Sequence, residues 1–301
     1  MSTSTSAPAP ERILQRLDWQ VIRRLDGLLQ GDYRSLFYGY GVDFADLREY
    51  QPGDDIRYID WNVTARMNTP YVRQYVEDRE ITAWFLLDLS PSMDFGSQQS
   101  LKRSVLVDFV ATLARLLTRH GNRVGAIFYG NRIERTIPAR GGRIHVLRLI
   151  NDLLKQPQLP RAPLTNLSSL FEAGLHGIKR RALIFVISDF ISAPGWERTL
   201  SLLNRRHEVL AIRLWDPREI EIPDIGPVIM EDAETGERLY VDTHDRTFRR
   251  RFQEAGRRRE ALLSETFKRA GVDALALSTE EDMVRAIVRF ATLRQQHKRK
   301  L

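Results

Sequence analysis

The chain has 301 residues, of which 43% are apolar and 28% charged, a composition that suits one large or two modest globular domains. It contains no cysteine, which excludes a disulfide scaffold, and its longest apolar runs are far too short to cross a bilayer. The net charge of +7 would suit binding to nucleic acid or to an anionic membrane surface. However, most of the excess positive charge lies in late helical segments, where glutamates accompany the arginines. A solvated helix face is therefore favoured, and nucleic-acid binding is not the expected main function.

The first ten residues, MSTSTSAPAP, lack the basic and apolar segments of a signal peptide. Residues 1–10 are predicted to be a disordered tail, and a cytoplasmic location is expected. Apolar residues at helical spacing then predict an amphipathic helix over residues 11–29.

Residues 33–80 show no clean helical or strand period, although residues 71–79 have strand propensity. Turn residues, acids, arginines and aromatic residues are closely spaced here. Such a composition indicates either a packed, salt-bridged surface or a binding site, and the pattern alone does not choose between them. Residues 11–80 are treated as an N-terminal extension of mixed helical and β character.

Residues 81–92, ITAWFLLDLSPS, form the most informative stretch. An apolar run ends abruptly in Asp88, which is typical of a central strand covered on both faces. Ser90 and Ser92 follow at period two, so an extended chain would project all three oxygen-bearing side chains to one side. One carboxylate and two hydroxyls at this spacing predict part of a binding site for a hard cation. Zinc or a redox metal is disfavoured because no cysteine or nearby histidine is present. Alternatively, the strand simply ends in a polar turn broken by Pro91.

The remaining chain alternates between strand and helix patterns, which predicts an α/β fold with a doubly wound, mostly parallel sheet over residues 81–301. The predicted strands cover residues 123–130, 133–138 (an antiparallel edge), 182–189, 208–215 and 273–277, and a hairpin covers 226–242. The predicted helices cover residues 99–119, 144–154, 167–178, 194–205, 245–271 and a C-terminal segment. Thr279 is expected to cap the helix that follows it, and Thr165 fits the same role, which is one of two alternatives for its hydroxyl.

Two acids, Asp88 and Asp189, come at the carboxyl ends of predicted buried strands. In an open doubly wound sheet, ligands bind outside such strand ends, near the point where the strand order reverses. Both acids are therefore candidate ligand-binding residues.

The run GYGVDFADLREYQPGDDIRYIDWNVTAR, followed by a strand that ends in DLSPSM, resembles the hallmark of the bacterial "domain of unknown function 58" family. The resemblance covers residues 38–190 with specific motifs and the rest more loosely. It implies a von Willebrand factor A-like, Rossmann-type domain behind an N-terminal signature. The spacing Asp-x-Ser-x-Ser is similar to the metal-ion-dependent adhesion site of that type of domain.

The resemblance also implies a set of metal ligands, namely Asp88, Ser90, Ser92, Thr165 and Asp189. Mg²⁺ is the expected ion, with Mn²⁺ or Ca²⁺ as alternatives, and an acidic side chain of a protein partner would complete its coordination. The partner implied by the resemblance is a MoxR-type AAA+ ATPase. Because this chain lacks the motif GxxxxGK[ST], it would be the adaptor or effector half of a chaperone-like remodelling pair.

Two other functions compete with this non-enzymatic interaction module. Asp88 beside Mg²⁺ could be the nucleophile of a phosphoryl-transfer enzyme, but Ser90 stands where such an enzyme needs a second acid, and its hydroxyl is a poor general acid–base. Nucleic-acid binding through the arginine-rich helices would show steeply salt-dependent affinity.

Seven residues of the signature have two interpretations: Arg48, Asp54, Asp55, Arg57, Asp60, Trp61 and Arg66. The favoured one is that the arginines pair with the acids and lock a small subdomain against the sheet, because buried charges need partners. The alternative is a second contact surface for the ATPase.

Overall fold

A six-stranded sheet forms the centre of the computed structural model, which describes residues 9–25, 46–51, 54, 56, 59–67, 69–74, 81–96, 100–159 and 162–298. The strands in chain order are β1 (Asp46–Glu49), β2 (Tyr71–Gln74), β3 (Thr82–Asp88), β4 (Arg123–Tyr129), β5 (Ile133–Arg140), β6 (Leu183–Ser188), β7 (Glu208–Trp215), β8 (Pro227–Glu231), β9 (Arg238–Asp242) and β10 (Asp273–Ser278). The helices are α1 (Pro10–Leu17), α2 (Trp61–Met67), α3 (Lys102–Arg119), α4 (Arg143–Leu154), α5 (Leu167–Gly177), α6 (Trp196–Arg206), α7 (Arg246–Ala270) and α8 (Met283–Lys298).

The central sheet has the strand order β10-β7-β6-β3-β4-β5, and all its neighbours are parallel except the edge pair β4 and β5. The mixed α/β fold, the mostly parallel sheet and the antiparallel edge strand are therefore confirmed. The chain passes from β3 to β4 and later returns on the other side of β3 through β6, so the strand order reverses between β3 and β6. Ligands bind at such a reversal in open α/β sheets, which directs attention to the carboxyl ends of these two strands.

Helices cover both faces of the sheet, and the sheet separates the apolar core into two clusters. On one face, α1, α3, α4 and α8 pack against Phe85 and Leu87 of β3. On the other face, α5, α6 and α7 pack against Leu86 of the same strand, as the period-two geometry of a strand requires. None of the helices in the described ranges combines the length and hydropathy of a membrane span.

The N-terminal helix packs into the core of the sheet domain. It begins at Pro10 and continues through a π-helical turn, Asp18–Ile22, to the end of the described segment at residue 25. The helix predicted over residues 11–29 is confirmed over this part, and its last residues lie outside the described ranges. Buried Leu14 belongs to the same apolar cluster as β3, and Arg16 pairs with Asp108 of α3 at 2.5 Å.

The signature region is described only in part. The strands β1 and β2 pair antiparallel, and the strand predicted over residues 71–79 is described as far as Gln74. Asp60 accepts the N–H groups of Asn62 and Val63 at 3.0 and 3.2 Å and thereby caps α2, a helix that was not predicted. Trp61 of the same helix is 70% exposed.

The described part of the signature does not decide whether its arginines form the predicted salt bridges with its acids. Asp54 accepts the N–H of Gln51 at 2.9 Å, and Arg66 lies exposed in the last turn of α2. Asp55, Arg57 and the side chain of Arg48 lie outside the described part of the chain. The pairing therefore stays a prediction.

The predicted role of Thr279 as a helix cap is wrong. Its hydroxyl donates to Asp216 at 2.7 Å, and the residue that caps α8 is Asp282, whose Oδ1 accepts the N–H of Arg285 at 3.0 Å. The reason is one of reach: α8 begins only at Met283, so the N–H groups of its first turn lie beyond Thr279. Glu280, Glu281 and Asp282 precede this helix and do not lie in its first turn.

Candidate metal centre

Asp88 is the last residue of β3 and is completely buried. Its Oδ1 accepts the N–H of Ser90 at 3.0 Å, and its Oδ2 accepts the hydroxyl of Ser188 at 2.6 Å. Burial, and secondly the charge of Asp189, raise the pKa of Asp88 to about 6, although these hydrogen bonds oppose the shift. The carboxylate is thus held in one orientation in surroundings that disfavour its charge unless a cation lies near.

Ser90 and Ser92 lie in a short 3₁₀ turn, Pro91–Asp94, and its N-cap. The extended course predicted for them is found at Ser90, with φ of −61° and ψ of 162°, but it is wrong for Ser92, because Pro91 starts a turn. The turn nevertheless brings the two buried hydroxyls together, with their Oγ atoms 3.2 Å apart. This separation is close to the roughly 2.9 Å expected between adjacent oxygen ligands of an octahedral Mg²⁺ ion with bonds of about 2.0–2.1 Å.

Asp189 directly follows β6 and is completely buried. Its Oδ1 accepts the N–H of Ile191 at 3.0 Å, and its Oδ2 accepts a hydrogen bond from Nζ of Lys102 at 2.6 Å. Lys102, only 1% exposed, also pairs with Glu219 at 2.5 Å. Burial disfavours the ammonium, but the two carboxylates outweigh burial and raise the pKa of Lys102. The charged form of Lys102 is therefore favoured at this position.

The turn after Asp189 contains a residue in the left-handed region. Phe190 has φ of 57°, an uncommon value for a residue with a large side chain. The Ser188 hydroxyl oxygen accepts its N–H at 2.8 Å, and its ring packs edge-on against Phe267 at a centroid distance of 4.8 Å. These contacts stabilise a conformation that is costly in isolation, and such residues cluster at functional sites.

Thr165 does not cap α5 as predicted. The cap is Asn166, whose Oδ1 accepts the N–H of Ser168 at 3.1 Å. The hydroxyl of Thr165 instead donates to Oε1 of Glu234, and its N–H donates to Oε2 of the same carboxylate at 2.7 Å. The physical reason is that Glu234, with both carboxylate oxygens free to accept, competes successfully for a hydroxyl that a cap would otherwise use.

Hydrogen bonds tie the Thr165 loop to the loop that begins with Asp189. The hydroxyl of Ser192 donates to the Thr165 carbonyl at 2.9 Å and accepts the N–H of Leu167 at 3.1 Å. The N–H of Ala193 donates to the same carbonyl at 2.8 Å. Thr165 is thereby anchored to the loop after β6. This loop lies at the carboxyl ends of the parallel strands, where β3 also ends.

The acids at the carboxyl ends of the strands interact electrostatically. Burial raises the pKa of Glu234, hydrogen bonds from Thr165 oppose that effect, and the charge of Asp189 contributes to the increase. The charges of Asp88 and Glu234 both contribute to a raised pKa of Tyr129, for which burial is the main cause. Asp88, Asp189 and Glu234 thus concentrate negative charge in a largely dry region, and Lys102 shares its single charge with Glu219 as well.

The residues present fit a hard divalent cation better than a soft one. Two carboxylates, of Asp88 and Asp189, and three hydroxyls, of Ser90, Ser92 and Thr165, are oxygen donors of the kind that Mg²⁺ prefers. Among the described residues, His, Cys, Asp and Glu side chains alone form no group of three or more that could hold an ion. The hydroxyl oxygens would therefore have to complete the site.

Four polar residues of the site were not predicted: Lys102, Ser188, Glu219 and Glu234. Ser188 precedes Asp189 and could have been suspected from its position at the strand end. The others come from α3, from the turn after β7 and from the hairpin of β8 and β9. No local pattern links these segments to the strand ends, because their proximity is created by the packing of the sheet.

Comparisons with known proteins identify relatives along most of the chain. A family model described as "Protein of unknown function DUF58" matches residues 46–262. The uncharacterized protein Rv1480 of Mycobacterium tuberculosis is 37% identical over 282 residues, which cover 94% of this chain and 89% of that protein. The uncharacterized protein MAV169 of Mycobacterium avium is 36% identical over 159 residues, which cover 53% of this chain and 94% of the relative.

Solved structures with a similar course of the chain are more distant. The conserved hypothetical protein BatB from Bacteroides thetaiotaomicron has 13% sequence identity and a TM-score of 0.47, with coverage of 72% of this chain and 99% of that one. An aerotolerance-related membrane protein from Bacteroides fragilis has 14% identity and a TM-score of 0.48, with coverage of 73% and 100%.

Proposed function

The chain belongs to the family described as "Protein of unknown function DUF58", and we propose that it is a non-enzymatic, metal-dependent protein-interaction module of von Willebrand factor A type. In this proposal Mg²⁺ is held by the oxygen donors at the carboxyl ends of β3 and β6. An acidic side chain of a partner protein binds at the same site. The metal ion, when bound, supplies positive charge that makes this carboxylate contact favourable.

One observation supports the proposal most directly: buried oxygen donors gather where the strand order of the sheet reverses. Asp88 and Asp189 are both completely buried, and the pKa of Asp88 is raised to about 6 by burial and by Asp189. Buried acids are favoured by charged as well as hydrogen-bonded partners; Asp88 accepts hydrogen bonds from Ser90 and Ser188, and a bound cation would add the charged partner. The adjacent hydroxyls of Ser90 and Ser92 add neutral oxygen ligands without adding repulsion.

The partner proposed for this module is a MoxR-type AAA+ ATPase, on the strength of the family resemblance alone. The sequence contains no GxxxxGK[ST] motif, so ATP hydrolysis through a P-loop would be the task of the partner. The chain would then act as the adaptor or effector of a remodelling pair.

A pull-down from native lysate, with bound proteins identified by mass spectrometry, tests this proposal. The samples are wild type in Mg²⁺, wild type in EDTA, Asp88→Ala in Mg²⁺ and, as a matched control, Glu172→Ala on the exposed surface of α5. Far-UV circular dichroism verifies that each variant is folded. We expect an AAA+ ATPase to be retained by wild type and Glu172→Ala in Mg²⁺ only.

The other outcomes separate the two parts of the proposal. Equal retention of the ATPase in all samples would support the partner but contradict a role for the metal. Absence of an ATPase from every sample would contradict the partner assignment and leave the metal centre to be tested by direct Mg²⁺ titration.

A further inference from the structure

Glu234 reaches the candidate metal centre from a hairpin that is separate from the central sheet. The hairpin consists of β8 and β9, which pair only with each other in the described structure. Its turn is built around Asp232, whose Oδ1 accepts the N–H groups of Glu234 and Thr235 at 3.0 and 2.7 Å. Gly236 follows with φ of 72°, a conformation that glycine adopts readily. The turn therefore presents Glu234 in one defined orientation.

The burial pattern of this hairpin is the reverse of an ordinary one. Over residues 227–242, Glu234 is the one buried residue, with 5% of its surface exposed. Apolar side chains of the same hairpin face solvent instead, with Ile229 at 54%, Leu239 at 59% and Tyr240 at 78% exposure. Large apolar side chains are normally buried in preference to a carboxylate. Contacts of the acid at the turn, rather than an apolar core, therefore attach the turn to the rest of the molecule.

The attachment consists of hydrogen bonds to the loop that carries Thr165. Both carboxylate oxygens of Glu234 accept hydrogen bonds from Thr165, one from its hydroxyl and one from its N–H. The Glu234 carbonyl also accepts the N–H of Ala162 at 3.3 Å. The resemblance assigns the hydroxyl of Thr165 to the metal. A carboxylate from a partner would therefore have to bind beside Thr165. In this structure the carboxylate of Glu234 already occupies that residue.

We propose that Glu234 is an internal acidic group that occupies Thr165 of this centre without being needed to hold the metal, and that an acidic side chain of a partner must displace it from Thr165 in order to bind. This inference rests on the function proposed above and deepens it by naming a group of this chain that competes with the partner. Displacement leaves the apolar core intact, because no apolar residue of the hairpin is buried in the attached state. Partner binding is then coupled to release of the hairpin turn.

The test uses Mn²⁺ as the ion and ¹³C-labelled acetate as the carboxylate. Electron paramagnetic resonance measures Mn²⁺ binding to the full chain, and paramagnetic relaxation of the acetate carbon measures how closely acetate approaches the bound ion. The proteins are wild type, Glu234→Gln, Glu234→Ala and the control Glu237→Gln, which removes an exposed charge from the same hairpin. Two different substitutions at position 234 guard against an effect of misfolding.

We expect all four proteins to bind Mn²⁺. Acetate should reach the ion at about tenfold lower concentration in both Glu234 variants than in wild type and Glu237→Gln, because a competing group held in the same chain acts at a high effective concentration, which both variants remove. Equal acetate access in all four proteins, with Mn²⁺ bound, would overturn this inference and leave the metal centre intact. Loss of Mn²⁺ binding in the Glu234 variants alone would also overturn it, since Glu234 would then be a required ligand. Absence of Mn²⁺ binding in every protein would overturn the proposed function and this inference together.

Discussion

At the scale of single residues, Asp88 shows how burial shapes the candidate centre. The side chain is completely buried, accepts hydrogen bonds from Ser90 and Ser188, and has a pKa raised to about 6. A carboxyl group in this state is destabilised as an anion and gains from a nearby cation. The same residue therefore carries a cost to folding and a benefit to ion binding.

Substitution Asp88→Asn is expected to abolish stabilisation by Mg²⁺ while leaving the ion-free protein at least as stable as wild type. The neutral amide avoids the repulsion from Asp189, and binding of an ion at 100 times its dissociation constant would stabilise wild type by about 2.7 kcal/mol. Thermal unfolding with and without Mg²⁺ measures both effects, with Glu172→Gln as the control. An unchanged response of Asp88→Asn to Mg²⁺ would show that the ion binds elsewhere.

His207 is a buried titratable residue that lies away from the centre. It is 2% exposed, and neither ring nitrogen has a hydrogen-bond partner among the residues that the structure describes. Burial, together with the positive charges of Arg206 and Arg181, lowers the pKa of His207 to about 4. Between about pH 6.5 and 4 the unfolded chain binds a proton that the folded chain does not, so stability falls as the pH falls through this window.

Substitution His207→Leu should therefore make stability less sensitive to acid. From pH 7 to pH 4.5 we expect wild type to lose on the order of 2 kcal/mol more unfolding free energy than the variant. Urea denaturation at the two pH values measures the difference. The control His176→Leu, at an exposed position of α5, should keep the pH dependence of wild type, and an equal slope in His207→Leu would contradict the assignment.

At the scale of secondary-structure elements, Lys102 connects the start of α3 to two loops. Its ammonium lies 2.6 Å from Asp189 after β6 and 2.5 Å from Glu219 in the short 3₁₀ helix after β7. These ion pairs hold α3 against the carboxyl ends of the strands, where the candidate centre lies. These ion pairs add to the apolar contacts by which α3 packs on the sheet.

Replacement of this lysine by methionine is expected to destabilise the protein by about 3–5 kcal/mol, because it leaves two carboxylates without their cation in a buried region. Equilibrium unfolding in urea measures the loss. The exposed Lys155→Met at the end of α4 is the matched control and should change stability by no more than about 0.5 kcal/mol. A loss below about 1 kcal/mol for Lys102→Met would contradict the structural role assigned to the ion pairs.

At the scale of the whole molecule, the N-terminal helix and the sheet form one core. Leu14 has no exposed surface and belongs to the apolar cluster that contains Phe85 and Leu87. Arg16 pairs with Asp108 on α3, which adds a polar contact at the rim of this interface. The described part of α1 thus behaves structurally as a component of the sheet domain.

Substitution Leu14→Ala should destabilise the whole fold by about 2–5 kcal/mol, the range for truncation of a buried leucine. Because α1 shares the core, unfolding should remain a single transition when it is followed by far-UV circular dichroism and by tryptophan fluorescence. Leu202→Ala, at a position of α6 that is 43% exposed, is the control. Separate transitions for the two probes would indicate that α1 folds independently of the sheet.

The sequence by itself determined the α/β class, the mostly parallel sheet and most of the elements. Their patterns are local: buried strands such as β6 are continuous apolar runs, and helices such as α3 repeat apolar residues at helical spacing. It also placed Asp88 and Asp189 at strand ends, since an apolar run that stops in an acid is visible without any structure. The caps assigned to Thr165 and Thr279 were wrong because a hydroxyl that can cap a helix can also donate to a distant carboxylate.

Only the tertiary structure decided which distant groups meet at the candidate centre. Glu234 is 69 residues from Thr165, and Lys102 is 117 residues from Glu219, so no local spacing could connect them. Their contacts follow from the order of strands in the sheet and from the path of the hairpin after β7. Strand order is set by the packing of the whole core, which is a property of the complete chain rather than of any segment within it.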